Sequence, residues 1–474
     1  MEGGRPAKRS RTEPPPPARE PLVSVCVPVH NCAPFLDECL ASVLAQSCPD
    51  PLEVSLFDDG SDDGSSAKIA GWAERFRGAG WRWVTARGET NRGEGYARNR
   101  AVRQSHGEYI CVMDGDDIMH PSRVERQLAA ARRHPEAIVG GGFRREPEDA
   151  TWHYTAWANA LSQRELLLQQ YRECTLLHPT WFHTRALFDA LGGYVETADG
   201  ADEARGRGRP EPAGSAPPGG RVAKKLAKAE ASVAGFERHC AAGEKGWDEA
   251  TRRAKQQQLA RLRQKRDVLS AAAAAAAPAS GVGAACEDGA AGDLAAVPAV
   301  AVDLRFFHSH LDHFYARKGA AEGGSAAGGV ALLRCEGEPV LTYRHRPGQS
   351  MCTHTSRKTL LRLRLRAFER RILRQPRWQK FTIWGAGRDG RNFFAELQPE
   401  FRSQVRGFCD IDPAKIARGF SSPALPGATL PVVRWEEAEP PFVVCVAMGR
   451  TGGELERNVA SRGLVEGVDY WHFS

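Results

Sequence analysis

At 474 residues, with 42% hydrophobic side chains, the chain is long enough for two or three packed domains. A formal net charge of +7 is mildly basic, which permits an RNA or phosphate-bearing partner without requiring one. No apolar run approaches the roughly 20 residues of a membrane span, which excludes a membrane partner of that kind. The 12 cysteines are scattered singly, which fits a reducing compartment and excludes a disulfide framework or a structural zinc site.

The opening stretch, 1–21, is basic and proline-rich, without the apolar core of a signal peptide, and reads as a disordered tail. Within it Pro6-Ala7-Lys8-Arg9-Ser10-Arg11 has the composition of a nuclear address. Val23 to Pro28 reads as a buried strand closed by Pro28-Val29-His30-Asn31. Apolar positions at Phe35, Cys39, Leu40, Val43 and Leu44 give a helix over 34–46. Glu53 to Phe57 is a second strand, running into Asp58-Asp59-Gly60-Ser61-Asp62-Asp63 and a helix from Ala67. Trp81 to Thr85 is a third strand, and 92–105 is a polar helix holding Arg98-Asn99.

Tyr109 to Asp117 then reads as an apolar strand ending in carboxylates, Asp114-Gly115-Asp116-Asp117. Acids this close repel one another unless a cation offsets the repulsion. Asp114 and Asp116 therefore form a candidate site for Mn²⁺ or Mg²⁺, hard ions that take oxygen ligands. Strands alternating with helices predict a parallel, doubly wound sheet, whose ligands bind beyond the carboxyl ends of the strands. Three strands in this stretch end in polar groups, at His30-Asn31, Asp58-Asp59 and Asp114-Asp116.

Residues 201–301 are rich in Ala, Gly, Pro, Lys and Arg and read as a low-complexity charged insertion, with a solvated helix or helical hairpin over 222–269. Beyond it, 329–336 and 339–345 read as a pair of strands, and Thr359 to Arg374 as an amphipathic helix. Its apolar face carries Leu361, Leu365, Phe368 and Leu373, while Arg362, Arg366 and Arg370 offer an ordinary solvated face or an RNA-facing surface. From 378 a second α/β unit begins. The strand Lys380 to Trp384 enters Gly385-Ala386-Gly387-Arg388-Asp389-Gly390, a helix follows, and the strand Val405 to Cys409 ends at Asp410. This order is a Rossmann-like fingerprint, open to a nucleotide, a modified base, a sugar phosphate or no ligand. An NAD-linked oxidoreductase built on this unit is one alternative function.

Pro28-x-His30-Asn31, Asp58-Asp59-Gly60-Ser61-x-Asp63, Ala97-Arg98-Asn99 and Asp114-Gly115-Asp116-Asp117 together resemble the inverting glycosyltransferase family 2 over about 22–200, resuming near 302. The resemblance implies an α/β architecture: a GT-A nucleotide-diphospho-sugar transferase fold at 22–200 and 302–377, with the Rossmann-like domain at 378–474. His178-Pro179-Thr180-Trp181-Phe182, Gly192-Gly193-Tyr194, Asp303-Leu304-x-Phe306-Phe307, Tyr343-Arg344-His345-Arg346 and the ending Tyr470 to Ser474 resemble a β-1,3-N-acetylglucosaminyltransferase-like subgroup. That subgroup is associated with transfer of galactose to the queuosine base of a tRNA anticodon.

The resemblance implies a UDP-sugar donor, UDP-galactose or a relative, and tRNA as acceptor. It implies roles for Asp59 and His30 at the uracil, with Pro28 and Asn31 beside them. Arg98 falls near the diphosphate, Arg344 and His345 on the diphosphate or acceptor side, and Asp114 and Asp116 at the metal, with Asp116 the more direct ligand. The general base maps to Asp303, although Val302 stands where the family has Glu; Asp202 and Glu203 are its rivals. Other readings are a transferase acting on a glycan or small acceptor, or a catalytically impaired tRNA-binding homologue. With neither signal nor anchor in the sequence, the expected location is the cytoplasm, with the nucleus as a second compartment.

Overall fold

A computed structural model describes residues 20–197, 300–318, 329–346, 355–447 and 451–473, together with the isolated positions 230, 233, 259, 263 and 266. Residues 1–206 and 296–474 form one compact unit, and 207–295 group as another. Of the second, the five isolated positions are helical. The readings of the tail over 1–19, of the basic run at 6–11, of Asp202 and Glu203 and of the rest of the insertion lie outside the described residues.

The first unit begins with β1 (Val23–Val29), α1 (Ala33–Leu44), β2 (Leu52–Asp59), α2 (Ser65–Gly78), β3 (Arg82–Gly88), α3 (Glu94–Arg103) and β4 (Tyr109–Val112). It continues with β5 (Ile118–Met119), α4 (Arg123–Arg133), β6 (Ile138–Gly141), β7 (Phe143–Glu146), α5 (Trp152–Ala160), α6 (Glu165–Leu168), β8 (Phe182–Thr184) and α7 (Arg185–Leu191). The main sheet has seven strands in the order β3-β2-β1-β4-β8-β6-β9, where β9 is Leu332–Cys335. Its central strands read as nearly unbroken apolar runs because both faces are covered. Val23, Val25, Val27 and Val29 of β1 enter one core, and Cys26 enters the other.

Two differences from the sequence reading concern strands. The sheet is mixed, because β8 runs antiparallel to both β4 and β6. The two strands after the insertion do not pair with each other. β9 joins β6 in the main sheet, whereas β10 (Leu341–Arg344) lies between β5 and β7 in a separate three-stranded sheet. Arg126 holds the crossing between them by donating to the Glu338 carbonyl at 2.9 Å.

Helix α8 (Val302–Lys318) returns the chain to the second core, where Leu304, Phe306 and Phe307 are buried near Trp181. The amphipathic helix is α9 (Arg357–Phe368), continued by a π-helical turn over Glu369–Leu373. Its apolar face is buried as expected at Leu365, Phe368 and Leu373. Its arginines are not a free RNA-facing surface. Arg362 pairs with Glu396, Arg366 with Glu369, and Arg370 with Asp312.

The last elements are β11 (Phe381–Trp384), α10 (Arg388–Glu396), α11 (Pro399–Arg402), β12 (Val405–Asp410), α12 (Pro413–Arg418), β13 (Val432–Arg434), β14 (Phe442–Val444), α13 (Glu454–Ser461) and β15 (Tyr470–His472). Their sheet is wholly parallel, in the order β13-β12-β11-β14-β15. Phe368 joins it to the rest of the unit, with ring centroids 4.8 Å from Tyr171 and 5.4 Å from Phe473. Replacing this fully buried ring by alanine is expected to cost about 3–5 kcal/mol of stability, read from the urea unfolding midpoint.

Candidate active site at the carboxyl ends of the strands

β1, β2 and β4 run parallel and end side by side, so the polar groups that follow them gather on one edge of the sheet. The turn after β4 brings three carboxylates together. Oxygen atoms of Asp114, Asp116 and Asp117 all lie within 4.8 Å of one another. Each carboxylate has one oxygen on a protein N–H. Asp114 Oδ1 accepts from Arg98 Nη2 at 2.8 Å, Asp116 Oδ2 from Arg346 Nε at 2.7 Å, and Asp117 Oδ1 from the Arg344 amide at 2.9 Å. Asp117 Oδ2 is buried with no partner. Burial, with Asp114 beside them, raises the pKa of Asp116 and drives that of Asp117 well above the carboxylate range. A hard oxygen cluster with an unsatisfied buried acceptor fits a divalent cation of the Mg²⁺ or Mn²⁺ kind.

Arg98 is the other centre of the site. It lies on α3, is 5% exposed, and donates to Glu94 through Nε at 3.0 Å as well as to Asp114. Its Nη1 is buried without a partner. Burial alone would lower its pKa, but Asp114 and Glu94 more than offset this and the guanidinium stays charged. α3 sits close because its first turn carries Gly95. A Cβ there would lie 2.2 Å from the Val195 carbonyl and 3.3 Å from a Val302 methyl. Asn99, next along the helix, clamps Tyr194 by accepting its N–H and donating to its carbonyl, both at 2.8 Å. The Gly192-Gly193-Tyr194 stretch is thereby accounted for by packing.

Asp303 is the second residue of α8, half-buried on the side facing these groups. Burial, with the Glu94 carboxylate next in importance, raises its pKa to about 6, and Arg98 works in the opposite direction. Asp303 thus lies within electrostatic reach of Glu94 and Arg98, and Arg98 in turn holds Asp114, which links three separate stretches of chain. Val302 is 1% exposed in the core. A Glu there would be a buried unpaired charge, so the departure from the family pattern has a packing reason. The acidic neighbour of Asp303 comes instead from Glu94.

Asp59 ends β2. Its Oδ2 accepts the amides of Arg92 and Gly93 at 3.0 and 2.9 Å, while Oδ1 is buried without a partner. Burial raises its pKa. His30 lies beside it, Nδ1 2.9 Å from the Asp59 carbonyl. Asn31 has φ +51° and uses its side-chain oxygen on the Asp62 amide, so it shapes the loop. Pro28, half-buried near the end of β1, has its carbonyl by Gly115.

The Arg344 guanidinium donates to Glu146 at 3.0 Å, to Glu38, and through Nη1 to the Asp116 backbone carbonyl at 3.4 Å. The His345 amide donates to the Glu146 carbonyl at 2.9 Å. Arg346, two residues on, is the one that reaches the Asp116 carboxylate. Sequence reasoning missed Arg346, Glu94 and Asp117. Each left a signal: Asp117 in the acidic run itself, Glu94 in standing four residues before Arg98 on a helix, and Arg346 in the two-residue period of an extended segment, which sets it on the same side as Arg344.

Residues 24–191 match the family model described as Glycosyl transferase family 2. This segment is a family 2 glycosyltransferase domain. Among curated relatives, the family 2 domain is similar to the uncharacterized glycosyltransferase EpsJ of Bacillus subtilis (strain 168), with 29% identity over 170 residues, 35% of this chain and 48% of that protein. It is also similar to a chondroitin synthase of Escherichia coli, 37% identical over 115 residues, 24% of this chain and 16% of that protein. The chain thus spans about half or less of the length of these two relatives. A crystal structure of S. aureus TarS in complex with UDP aligns at 22% identity and a TM-score of 0.30, covering 37% of this chain and 50% of that one. Among the described residues no helix is long and apolar enough to cross a membrane.

In the C-terminal sheet, the glycine loop follows β11 as expected. Gly385 has φ +109°, and a Cβ on Gly390 would lie 2.0 Å from the Gly385 carbonyl, so both serve the tight strand-to-helix turn. Asp410 accepts the Ala386 amide at 2.9 Å and Lys415 Nζ at 2.9 Å. It is therefore committed to holding the loop, which is not the free acid that a dinucleotide ribose needs.

The Arg98 bridge supplies a test. Arg98→Met leaves Asp114 and Glu94 without their cation in a largely buried setting, and is expected to cost about 3–5 kcal/mol in chemical denaturation. Arg98→Lys should recover part of this, because it restores the charge without the two-pronged geometry.

Proposed function

We propose that the protein is an inverting, metal-dependent glycosyltransferase that moves a sugar from a UDP-sugar to an acceptor hydroxyl. Its donor is read as UDP-galactose and its acceptor as the queuosine base of a tRNA. The observation that carries the reading is the placing of Asp303 beside Glu94 and Arg98, with Arg98 in turn bonded to Asp114. A carboxyl poised near pH 6 stands beside a buried guanidinium and a divalent-cation site. An inverting transfer needs both halves of that arrangement.

In this reading Asp59 accepts an N–H of the uracil on its unpartnered Oδ1, with His30 alongside. Asp114 and Asp116, with Asp117 beside them, hold the divalent ion. When bound, that ion supplies charge neutralisation of the diphosphate. Arg98 directs its unpartnered Nη1 to the same leaving group. The acceptor oxygen forms its bond to the anomeric carbon as the bond from that carbon to the diphosphate oxygen breaks. The hydroxyl proton passes to Asp303, and the electron pair leaves with UDP. Attack opposite the leaving group inverts the anomeric centre. The galactose and queuosine-tRNA assignments are supported by the subgroup resemblance, and the net charge of +7 is compatible with an RNA acceptor. The corresponding location is the cytoplasm, with the nucleus as a second compartment.

The test is a panel of labelled UDP-sugars with the full chain, Mn²⁺ or Mg²⁺, and tRNA with or without queuosine. Galactose transfer confined to queuosine-containing tRNA is expected. Equal transfer to both tRNAs sinks the acceptor, and transfer only to a glycan or small acceptor favours the alternative. Asp116→Asn should abolish metal-dependent turnover. Asp303→Asn should lower kcat by about 10²–10⁴-fold.

The base works as its carboxylate. The acidic limb of kcat/KM is therefore expected to fall about tenfold per pH unit below a midpoint near 6, and to be flat above it. A wild-type profile without that limb would remove Asp303 from the role.

A further inference from the structure

Apart from the strand-end site, the unit contains a cavity of about 690 Å³ between α8, α9 and the turn joining α10 to α11. A volume of this size suits a small ligand or part of a larger one. Its walls include Arg305, His308, Ser309, Arg362, Glu396 and Arg402. Arg366 and Arg370 also border it, but each already has a carboxylate partner, Glu369 for the first and, shared with Arg371, Asp312 for the second. Arg362 is paired with Glu396. Arg305 and Arg402 have no carboxylate partner among the described residues. Arg305 Nε donates to the Val300 carbonyl at 3.1 Å, and Arg402 Nη2 to the Ala395 carbonyl at 2.8 Å.

Four nitrogens on these walls are buried without a hydrogen-bond partner: Arg305 Nη2, Arg362 Nη1, Arg402 Nε and His308 Nε2. All four are donors. Three belong to guanidiniums, which can only donate. For His308, burial and the nearby Arg371, Arg364 and Arg370 hold the pKa well below the imidazole range, so the ring is neutral. Arg371 Nη2 lies 2.8 Å from Nδ1 and can only donate to it, which leaves the ring hydrogen on Nε2. Buried donors without acceptors are costly, and one alone calls for an explanation. Four around one cavity, two of them on arginines without counter-charges, call for a common acceptor that carries negative charge. Planar guanidinium donors match the oxygens of a phosphate.

We propose that this cavity is a binding site for a phosphate-class anion, held by Arg305, Arg402, His308 and the free edge of Arg362. The phosphate can come from a small phosphorylated molecule or from the phosphodiester backbone of an RNA. The proposal rests on the cavity alone and stands whether or not the acceptor is tRNA. It also revises the reading of the arginine-rich helix, whose own cations are mostly spoken for. Among the described residues, the lining arginines without a carboxylate partner, Arg305 and Arg402, lie on the elements facing it.

The experiment uses the full-length protein and two probes, inorganic pyrophosphate and an unmodified tRNA transcript, titrated against the wild type, Arg305→Gln/Arg402→Gln and Ser309→Asp. The last places a carboxylate at an exposed position on the cavity wall without removing a contact. Thermal midpoints without anion check that each variant is folded. Both variants are expected to weaken at least one probe by about tenfold or more. Loss of pyrophosphate binding with tRNA unchanged assigns a small phosphate. Loss of tRNA affinity, with the log–log salt slope reduced by about 2 in the double variant, assigns an RNA backbone. Arg305→Lys/Arg402→Lys should recover part of the loss by restoring charge. Wild-type affinity for both probes in the folded Ser309→Asp protein would overturn the proposal, even if the double variant fails to fold.

Discussion

Arg98 carries one positive charge into a nearly closed space and shares it between Glu94, four residues before it, and Asp114, at the end of the neighbouring strand. Removing that charge from water is expensive, and the two carboxylates repay it only if the geometry is held. The surroundings supply that holding. Gly95 lets α3 approach Val195 and Val302, Asn99 pins the backbone of Tyr194, and β4 is fixed between β1 and β8. The same bridge acts on Asp303: burial raises its proton affinity most, Glu94 adds to the rise and Arg98 opposes it. One ion-pair chain therefore couples the strand end, the polar helix and the helix that returns after the long insertion.

The acidic cluster follows a related principle. Three carboxylates within a few ångströms are unstable as bare charges. Here each is steadied by one N–H on one oxygen, drawn from α3, from β10 or from the extension beyond β10. The second oxygen of Asp117 is left buried without a partner, and the three groups stay close enough to share one cation. The three-stranded sheet has its purpose in this arrangement. By placing β10 between β5 and β7, it brings the Arg344 amide and the Arg346 side chain up to residues more than two hundred positions earlier.

The C-terminal sheet has the strand order of a nucleotide-binding half, yet its signature residues mostly serve the fold. Gly385 and Gly390 make the turn, and Asp410 ties that turn to Lys415. Its apolar interior is continuous with the rest of the unit through Phe368, Tyr171 and Phe473. A glycine fingerprint reports a close approach of backbones, and here the approaching groups belong to the chain itself.

The local sequence by itself determined the elements. The apolar runs at 23–29, 52–57 and 109–112 lie in strands, and the polar groups after them lie at one edge, because parallel strands that share a core must end together. It also pointed to Asp59 and Asp114 as the polar ends of two such strands, whereas Arg98 was singled out only by the family resemblance. What only the tertiary structure decided was partnership over long separations. That Arg346 meets the Asp116 carboxylate, while Arg344 reaches only the Asp116 carbonyl, depends on how β10 is seated between β5 and β7. That Glu94 stands by Asp303, and that Val302 is core, depends on how closely α3 and α8 pack. That Arg362, Arg366 and Arg370 are already paired depends on Glu396, Glu369 and Asp312 being folded against them. A charge in sequence reveals its sign, but its availability is set by what the fold puts within about 4 Å of it.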